Sequence, residues 1–143
     1  MEIPMHRFLV PLASAGFALA LSGAAVAPAQ AAEGHNLFHA ATQKCLDGSL
    51  SQGLRLATCN GSTYQQWSYR GTFLHIQSGK CLDYSVSQGL RLVTCNNDSD
   101  YQGWGWGGDS RILHGLTGKC LDGSLSQGVR MNTCNTSDYQ RWL

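Results

Sequence analysis

Three aspartates stand in the same local setting, as Lys44-Cys45-Leu46-Asp47, Lys80-Cys81-Leu82-Asp83 and Lys119-Cys120-Leu121-Asp122. A carboxylate can accept from two adjacent hydroxyls at once, and such charge-assisted bonds are the stronger kind. Carboxylates also serve glycoside hydrolysis, but that chemistry needs a pair roughly 5–10 Å apart across one bond. No second carboxylate recurs beside Asp47, Asp83 or Asp122. A Ser/His/Asp or Cys/His constellation with a free nucleophile is equally absent from the sequence pattern. The six cysteines contain no Cys-x-x-Cys, which argues against zinc. His39, His75 and His114 also recur in register, so they are expected on three different sides of the body, as exposed strand residues. The chemistry that remains is hydroxyl recognition, with no catalysis, no cofactor and no metal.

The elements that must position the aspartates form one repeat. Behind each aspartate come Ser-Gln-Gly, a Leu/Val-Arg-Leu/Met run, Thr-Cys-Asn, and a closing Tyr-Gln-x-Trp (in repeat two, Tyr101-Gln102-Gly103-Trp104). Three full copies fill the chain after the first 31 residues, at about 34–70, 71–108 and 109–143. Inside each copy the period is two. Leu54 and Leu56 share one strand face while Arg55, Ala57 and Cys59 share the other. Leu46, Leu54, Leu56 and Trp67 are therefore expected inward, with Leu82, Leu90, Leu92 and Trp104, then Leu121, Val129, Met131 and Trp142, as counterparts. Both cysteines of a repeat then lie on the outer face beside the aspartate. Six cysteines allow fifteen connectivities; three equivalent units require Cys45–Cys59, Cys81–Cys95 and Cys120–Cys134. Trp106, in the Gly-rich stretch Gly103 to Asp109, is expected outside the repeat, in a loop packed on the body.

Three repeats of some four short strands cannot each bury an apolar face alone. A closed, pseudo-threefold barrel of about twelve strands with a hairpin cap solves this without exposed edges. A linear solenoid would need atypical end repeats, and the first and third copies are nearly identical. The fold class expected is all-β, a β-trefoil with one disulfide inside each repeat.

Residues 1–31 read as a secretory signal peptide: a basic Met1 to Arg7, an apolar Phe8 to Val26, and Ala29-Gln30-Ala31 before the cut. A membrane anchor would have to tolerate Pro11, Ser14 and Gly16. The domain is then 32–143, exported, where an even cysteine count favours disulfides. Ten Lys/Arg against nine Asp/Glu give a net charge of +1, so neither a phosphate-tracking patch nor a polybasic membrane face is present. Nucleic acid and membrane insertion are excluded as partners, and a monomer is expected.

The Cys-Leu-Asp … Cys-Asn … Tyr-Gln-x-Trp repeat resembles that of the ricin B-type β-trefoil lectins, whose signature is the Gln-x-Trp closing each repeat. The short loop after the aspartate, and the tyrosine before the glutamine, make it most similar to compact bacterial actinohivin-like lectins. The resemblance implies one shallow carbohydrate-binding pocket per repeat. Asp47, Asp83 and Asp122 would accept sugar hydroxyls, and Asn60, Asn96 and Asn135 would assist. Tyr64, Tyr101 and Tyr139 would form an aromatic wall against the C–H face of a pyranose, and Gln65, Gln102 and Gln140 would brace the pocket. Two departures stand out. The stacking tryptophan two places before the second cysteine is replaced by Ala57, Val93 and Asn132. Arg55, Arg91 and Arg130 stand where the actinohivin-type repeat has tyrosine; they can donate to hydroxyls or to an acidic sugar, or lock onto the aspartate and fill the pocket. Tyr84 also replaces the Gly48 and Gly123 of the other copies.

The implied function is a secreted lectin with up to three sugar sites, acting by multivalent recognition of glycans or polysaccharides. The alternative is a protein-binding or inhibitor trefoil with vestigial pockets.

Overall fold

The computed structural model describes residues 23–24 and 33–143. The signal peptide expected over residues 1–31 lies outside the described residues, apart from Gly23 and Ala24, which form no regular element. Among the described residues no helix is long and apolar enough to cross a membrane.

Residues 33–143 are all β and short turns. Repeat one contains β1 (Phe38–His39), β2 (Lys44–Ser49), β3 (Gly53–Ala57) and β4 (Trp67–Tyr69). Repeat two contains β5 (Phe73–His75), β6 (Lys80–Ser85), β7 (Gly89–Val93) and β8 (Trp104–Trp106). Repeat three contains β9 (Ile112–His114), β10 (Cys120–Ser124) and β11 (Gly128–Asn132). The twelfth strand of the expected set shrinks to Trp142, bridged to His39.

Each β2–β3-type hairpin aligns the aspartate opposite the arginine, as Asp47↔Arg55, Asp83↔Arg91 and Asp122↔Arg130. The loop between Ser49 and Gly53 holds three residues, and Gly53 sits at φ +73°. That left-handed conformation, at the residue that leaves the loop and opens β3, is one glycine adopts without steric cost. It explains why Ser-Gln-Gly recurs.

The sheets straddle the repeats. One runs β4-β5-β6-β7, so the last strand of repeat one opens the sheet of repeat two; another runs β11-β10-β9-β8. In the β1-β2-β3 sheet the corresponding place is taken by the chain end, where Phe38 N–H donates to Leu143 C=O (2.9 Å) and Leu143 N–H donates back to Phe38 C=O (2.8 Å). A further bond ties the two ends of each copy together: Trp67 N–H to His35 C=O, Trp104 N–H to Gly71 C=O and Trp142 N–H to Ser110 C=O, at 2.8–2.9 Å. The barrel is closed.

Every residue expected inward is in the core or packed against it. Leu46, Leu82, Leu121 and the three closing tryptophans are buried, and Leu54, Leu56, Leu90, Leu92, Val129 and Met131 pack partly buried against them. Strands β3, β7 and β11, which carry these six, meet about the pseudo-threefold axis. Each indole N–H donates to the carbonyl of the central leucine in its own repeat: Trp67 to Leu46 (3.0 Å), Trp104 to Leu82 (2.9 Å), Trp142 to Leu121 (3.0 Å). Leu37, Phe73 and Ile112 add a further buried layer.

Two expectations are corrected. The face of β2 carrying Cys45 and Asp47 is not exposed: these residues are 1% and 3% accessible, as buried as Leu46 on the opposite face. A 3-10 turn at Thr63–Gln65 and the segment after Cys59 cover that side. Trp106, expected in a loop outside the repeat, ends strand β8 and stands two places after the closing tryptophan, as Tyr69 does in repeat one. Both are half-exposed and pack on Phe73, with ring centroids at 4.8 Å for Tyr69 and 6.0 Å for Trp106.

The disulfides are Cys45–Cys59, Cys81–Cys95 and Cys120–Cys134, each spanning 14 residues. Closing a loop of that size in the unfolded chain contributes about 3 kcal/mol in the chain-entropy account. Replacing Cys120 and Cys134 together by alanine should lower the unfolding free energy by about that amount, read from urea denaturation. A loss well under ~1 kcal/mol would contradict the entropic role assigned to this loop.

Candidate functional site

Each repeat builds the same constellation, beginning with the buried aspartate. In repeat one, Asp47 Oδ1 accepts from Arg55 Nε at 3.2 Å and Oδ2 accepts from Gln65 Nε2 at 3.2 Å. Repeat two gives 2.9 Å from Arg91 and 3.3 Å from Gln102 to Asp83. Repeat three gives 3.1 Å from both Arg130 and Gln140 to Asp122. Each arginine thus pairs with its aspartate through Nε.

The glutamines spend both donor hydrogens within the protein. Gln65 Nε2 also donates to Thr58 C=O (2.9 Å), and its Oε1 accepts from Asn60 N–H (3.0 Å). Gln102 and Gln140 repeat this with Thr94 and Asn96, and with Thr133 and Asn135. A carboxamide offers two donor hydrogens and one carbonyl; here all three parts face protein. These residues brace the aspartate, and each sits on a 3-10 turn, Thr63–Gln65, Asp100–Gln102 or Asp138–Gln140.

The asparagines are exposed at the rim. Asn60 Oδ1 accepts from Ser62 N–H at 2.9 Å, folding the loop into a tight turn that leads into the 3-10 element. Asn96 and Asn135 do the same with Asp98 (3.0 Å) and Ser137 (2.9 Å). The Nδ2 groups make no hydrogen bond with any described residue. Tyr64, Tyr101 and Tyr139 are 44%, 46% and 50% exposed. The structure thus gathers Asp, Asn, Tyr and Gln of each repeat about one hairpin and its covering turn, with Arg as a further member.

The histidines overturn the expectation of exposed strand positions: His39, His75 and His114 are fully buried. His75 Nε2 meets the Tyr64 carbonyl at 2.9 Å, His114 that of Tyr101 at 3.0 Å, and His39 that of Tyr139 at 2.8 Å. A carbonyl only accepts, so Nε2 carries the proton and Nδ1 accepts from a hydroxyl. Those hydroxyls belong to Ser78, Thr117 and Thr42, at 2.8–3.0 Å. Each ring also packs on the closing tryptophan of the preceding repeat, at centroid distances of 4.6–4.8 Å. Every tyrosine wall is therefore anchored by a histidine of the next repeat. The signal was present as a hydroxyl residue three places after each histidine.

The residue after the aspartate differs between copies for a reason found at these rings. A Cβ on Gly48 would come 2.8 Å from His75 Nε2, and one on Gly123 would come 3.1 Å from His39 Nε2. In repeat two Tyr84 occupies this place, buried with its ring edge-on to His114 at 5.2 Å. Burial pushes the His114 imidazole below its ordinary 6.5, against the raising effects of the Tyr101 carbonyl and the Asp83 charge.

The ricin-type beta-trefoil lectin domain family matches residues 32–142. No curated protein matches the chain. Among solved structures, the chain is similar to the designed threefold-symmetric protein ThreeFoil, with 22% identity, a TM-score of 0.63, and coverage of 76% of this chain and 95% of that one. It is similar to the hemolytic lectin CEL-III at 25% identity and TM-score 0.65, over 80% of this chain but 31% of that protein. It is also similar to a GlcNAcα1-4Gal-releasing endo-β-galactosidase from Clostridium perfringens at 13% identity and TM-score 0.68, over 78% of this chain and 31% of that enzyme.

The His114 shift sets a sign for acid sensitivity. With its folded pKa below 6.5, the unfolded chain takes up this proton first as the pH falls. The contribution is complete above about 6.5, declines as the pH drops toward the folded value, and levels off beneath it. Urea unfolding across that interval should show a falling midpoint, and His114→Gln should flatten part of the slope. An unchanged slope in the variant would remove His114 from the account.

Proposed function

This chain belongs to the ricin-type β-trefoil lectin family, and we propose that it is a secreted carbohydrate-binding lectin that acts by recognition, without catalysis. The observation that carries the reading is a constellation built three times: a buried aspartate braced by a glutamine, an exposed tyrosine next to that glutamine in sequence, and an asparagine with an unpartnered amide whose backbone N–H the same glutamine accepts. Asp47, Asp83 and Asp122 accept hydroxyls of the ligand with the lone pairs their partners leave. Asn60, Asn96 and Asn135 donate from Nδ2, and Tyr64, Tyr101 and Tyr139 receive the apolar face of the sugar ring. Gln65, Gln102 and Gln140 hold the carboxylate in place.

A shallow wet cleft gains little per hydroxyl over water. Three equivalent clefts presented to a branched or clustered glycan raise avidity by roughly 10²–10⁴. The short loop after each aspartate and the Tyr-Gln-x-Trp closures support a kinship with compact, actinohivin-like bacterial lectins within the family. Export follows from a leader over residues 1–31 and is supported by the three disulfides of the domain at 32–143. The protein acts as a monomer on glycans or polysaccharides, without nucleic acid or membrane insertion.

One observation favours a second reading. The Arg–Asp ion pairs occupy one oxygen of each aspartate, as they would in a protein-binding or inhibitor trefoil whose pockets are vestigial. A glycan array separates the two. Binding should be detected, and replacing Asp47, Asp83 and Asp122 together by asparagine should reduce it to background while near-UV circular dichroism stays native. A blank array with the unaltered protein would favour the vestigial reading, and release of reducing sugar from any polysaccharide would reinstate an enzyme.

A further inference from the structure

The hydrogen-bonding capacity of the three clefts is unbalanced toward donors. Both oxygens of each aspartate already accept from protein, one from arginine Nε and one from glutamine Nε2. The arginines are only half committed. Arg55, Arg91 and Arg130 side chains are 42%, 35% and 34% exposed, and each uses Nε alone. Their Nη1 and Nη2 groups make no hydrogen bond or ion pair with any described residue, which leaves four N–H donors per guanidinium. The free Nδ2 amides of Asn60, Asn96 and Asn135 add to the same side.

We propose that the three clefts select acidic glycans, with a carboxylate or sulfate of the sugar received by the free edge of Arg55, Arg91 and Arg130; the inference rests on the carbohydrate-binding reading above. A guanidinium presents a planar fork that matches the two oxygens of a carboxylate or sulfate. Here the fork is already aimed, because the buried aspartate fixes it through Nε, so little side-chain freedom is lost on binding. A neutral hydroxyl would meet the same donors through weaker bonds between unlike partners, one charged and one not.

The copies are not equal in charge. The 3-10 turn of repeat one, Thr63–Gln65, carries no acid in its first turn, while the lysine before the first cysteine, Lys44, Lys80 or Lys119, is common to all three copies. Repeat two has Asp98 before its turn and Asp100 in it. In repeat three Asp138 is held by Arg141 Nη1 at 3.1 Å. Repeat one is therefore the strongest acid site, and repeat two, with two uncompensated carboxylates in its loop, is the weakest.

The test titrates the purified protein against polygalacturonate and its fully methyl-esterified form, and against dextran sulfate and dextran. Binding should be roughly tenfold or more tighter for an acidic polymer than for its neutral counterpart, the difference between a guanidinium bonded to an anion and the same donor bonded to a neutral hydroxyl. The uronate and sulfate arms tell which anion fits. Arg55→Gln should weaken acidic binding more than Arg91→Gln, and R55Q/R91Q/R130Q should abolish the preference. Equal or tighter binding of the neutral polymers, or an acidic preference untouched in the triple variant, would overturn the inference and leave the lectin reading standing. No binding here or on a broad glycan array would remove both. The acid-against-neutral comparison uses the unaltered protein, so a folding defect in the variants does not blur the result.

Discussion

A carboxylate taken out of water costs several kcal/mol unless both its oxygens find partners, and this chain takes three of them out of water. Meeting that demand organises each repeat. The hairpin register must bring an arginine directly opposite the aspartate, and a covering turn must deliver a glutamine to the other oxygen. The glutamine is itself tied to the backbone on either side of the second cysteine, at Thr58 and Asn60 in repeat one. Two residues beyond it the tryptophan enters the core and donates to the carbonyl just before the aspartate. The site and the core are two faces of the same strand, so neither can be rebuilt without the other.

Between repeats, the connection is made by groups that an isolated copy could not satisfy. A histidine from the next copy stacks on the closing tryptophan and holds the tyrosine carbonyl in the preceding cleft. The sheets likewise borrow their first strand from the neighbour before them. Except where the third copy meets the first, this pairing joins segments adjacent in sequence, β4 to β5 and β8 to β9.

The architecture was legible because its determinants are local and tripled. Alternation in Leu54-Arg55-Leu56 named the inward face, and equivalence among copies was enough to pair the cysteines. What escaped was burial created from outside the element. Cys45 and Asp47 alternate correctly with Leu46, yet their face is covered by a turn that the period of the strand cannot announce. His75 looks like a polar strand residue until the tryptophan of the preceding repeat is placed against it. Trp106 seemed unrelated to the repeat because glycines surround it, although its distance from Trp104 equals that of Tyr69 from Trp67. At the candidate site, Asp, Asn, Tyr and Gln were legible from the family resemblance and the structure gathers them. The arginine's choice between aspartate and ligand was open in sequence, since only the cross-strand register shows that Nε and the carboxylate face each other.

The mutual bonds between Phe38 and Leu143 give the barrel a property that its chain order conceals. A ring closed in this way has no first or last member: each copy leans on the next, and the third leans on the first. Reopening the polypeptide at the boundary near Gly71 or Ser110, with a short linker across Phe38 and Leu143, would preserve every contact that crosses between copies. The order one, two, three is thus a fact about translation, while the folded molecule reads the same cycle from any of its three starting points.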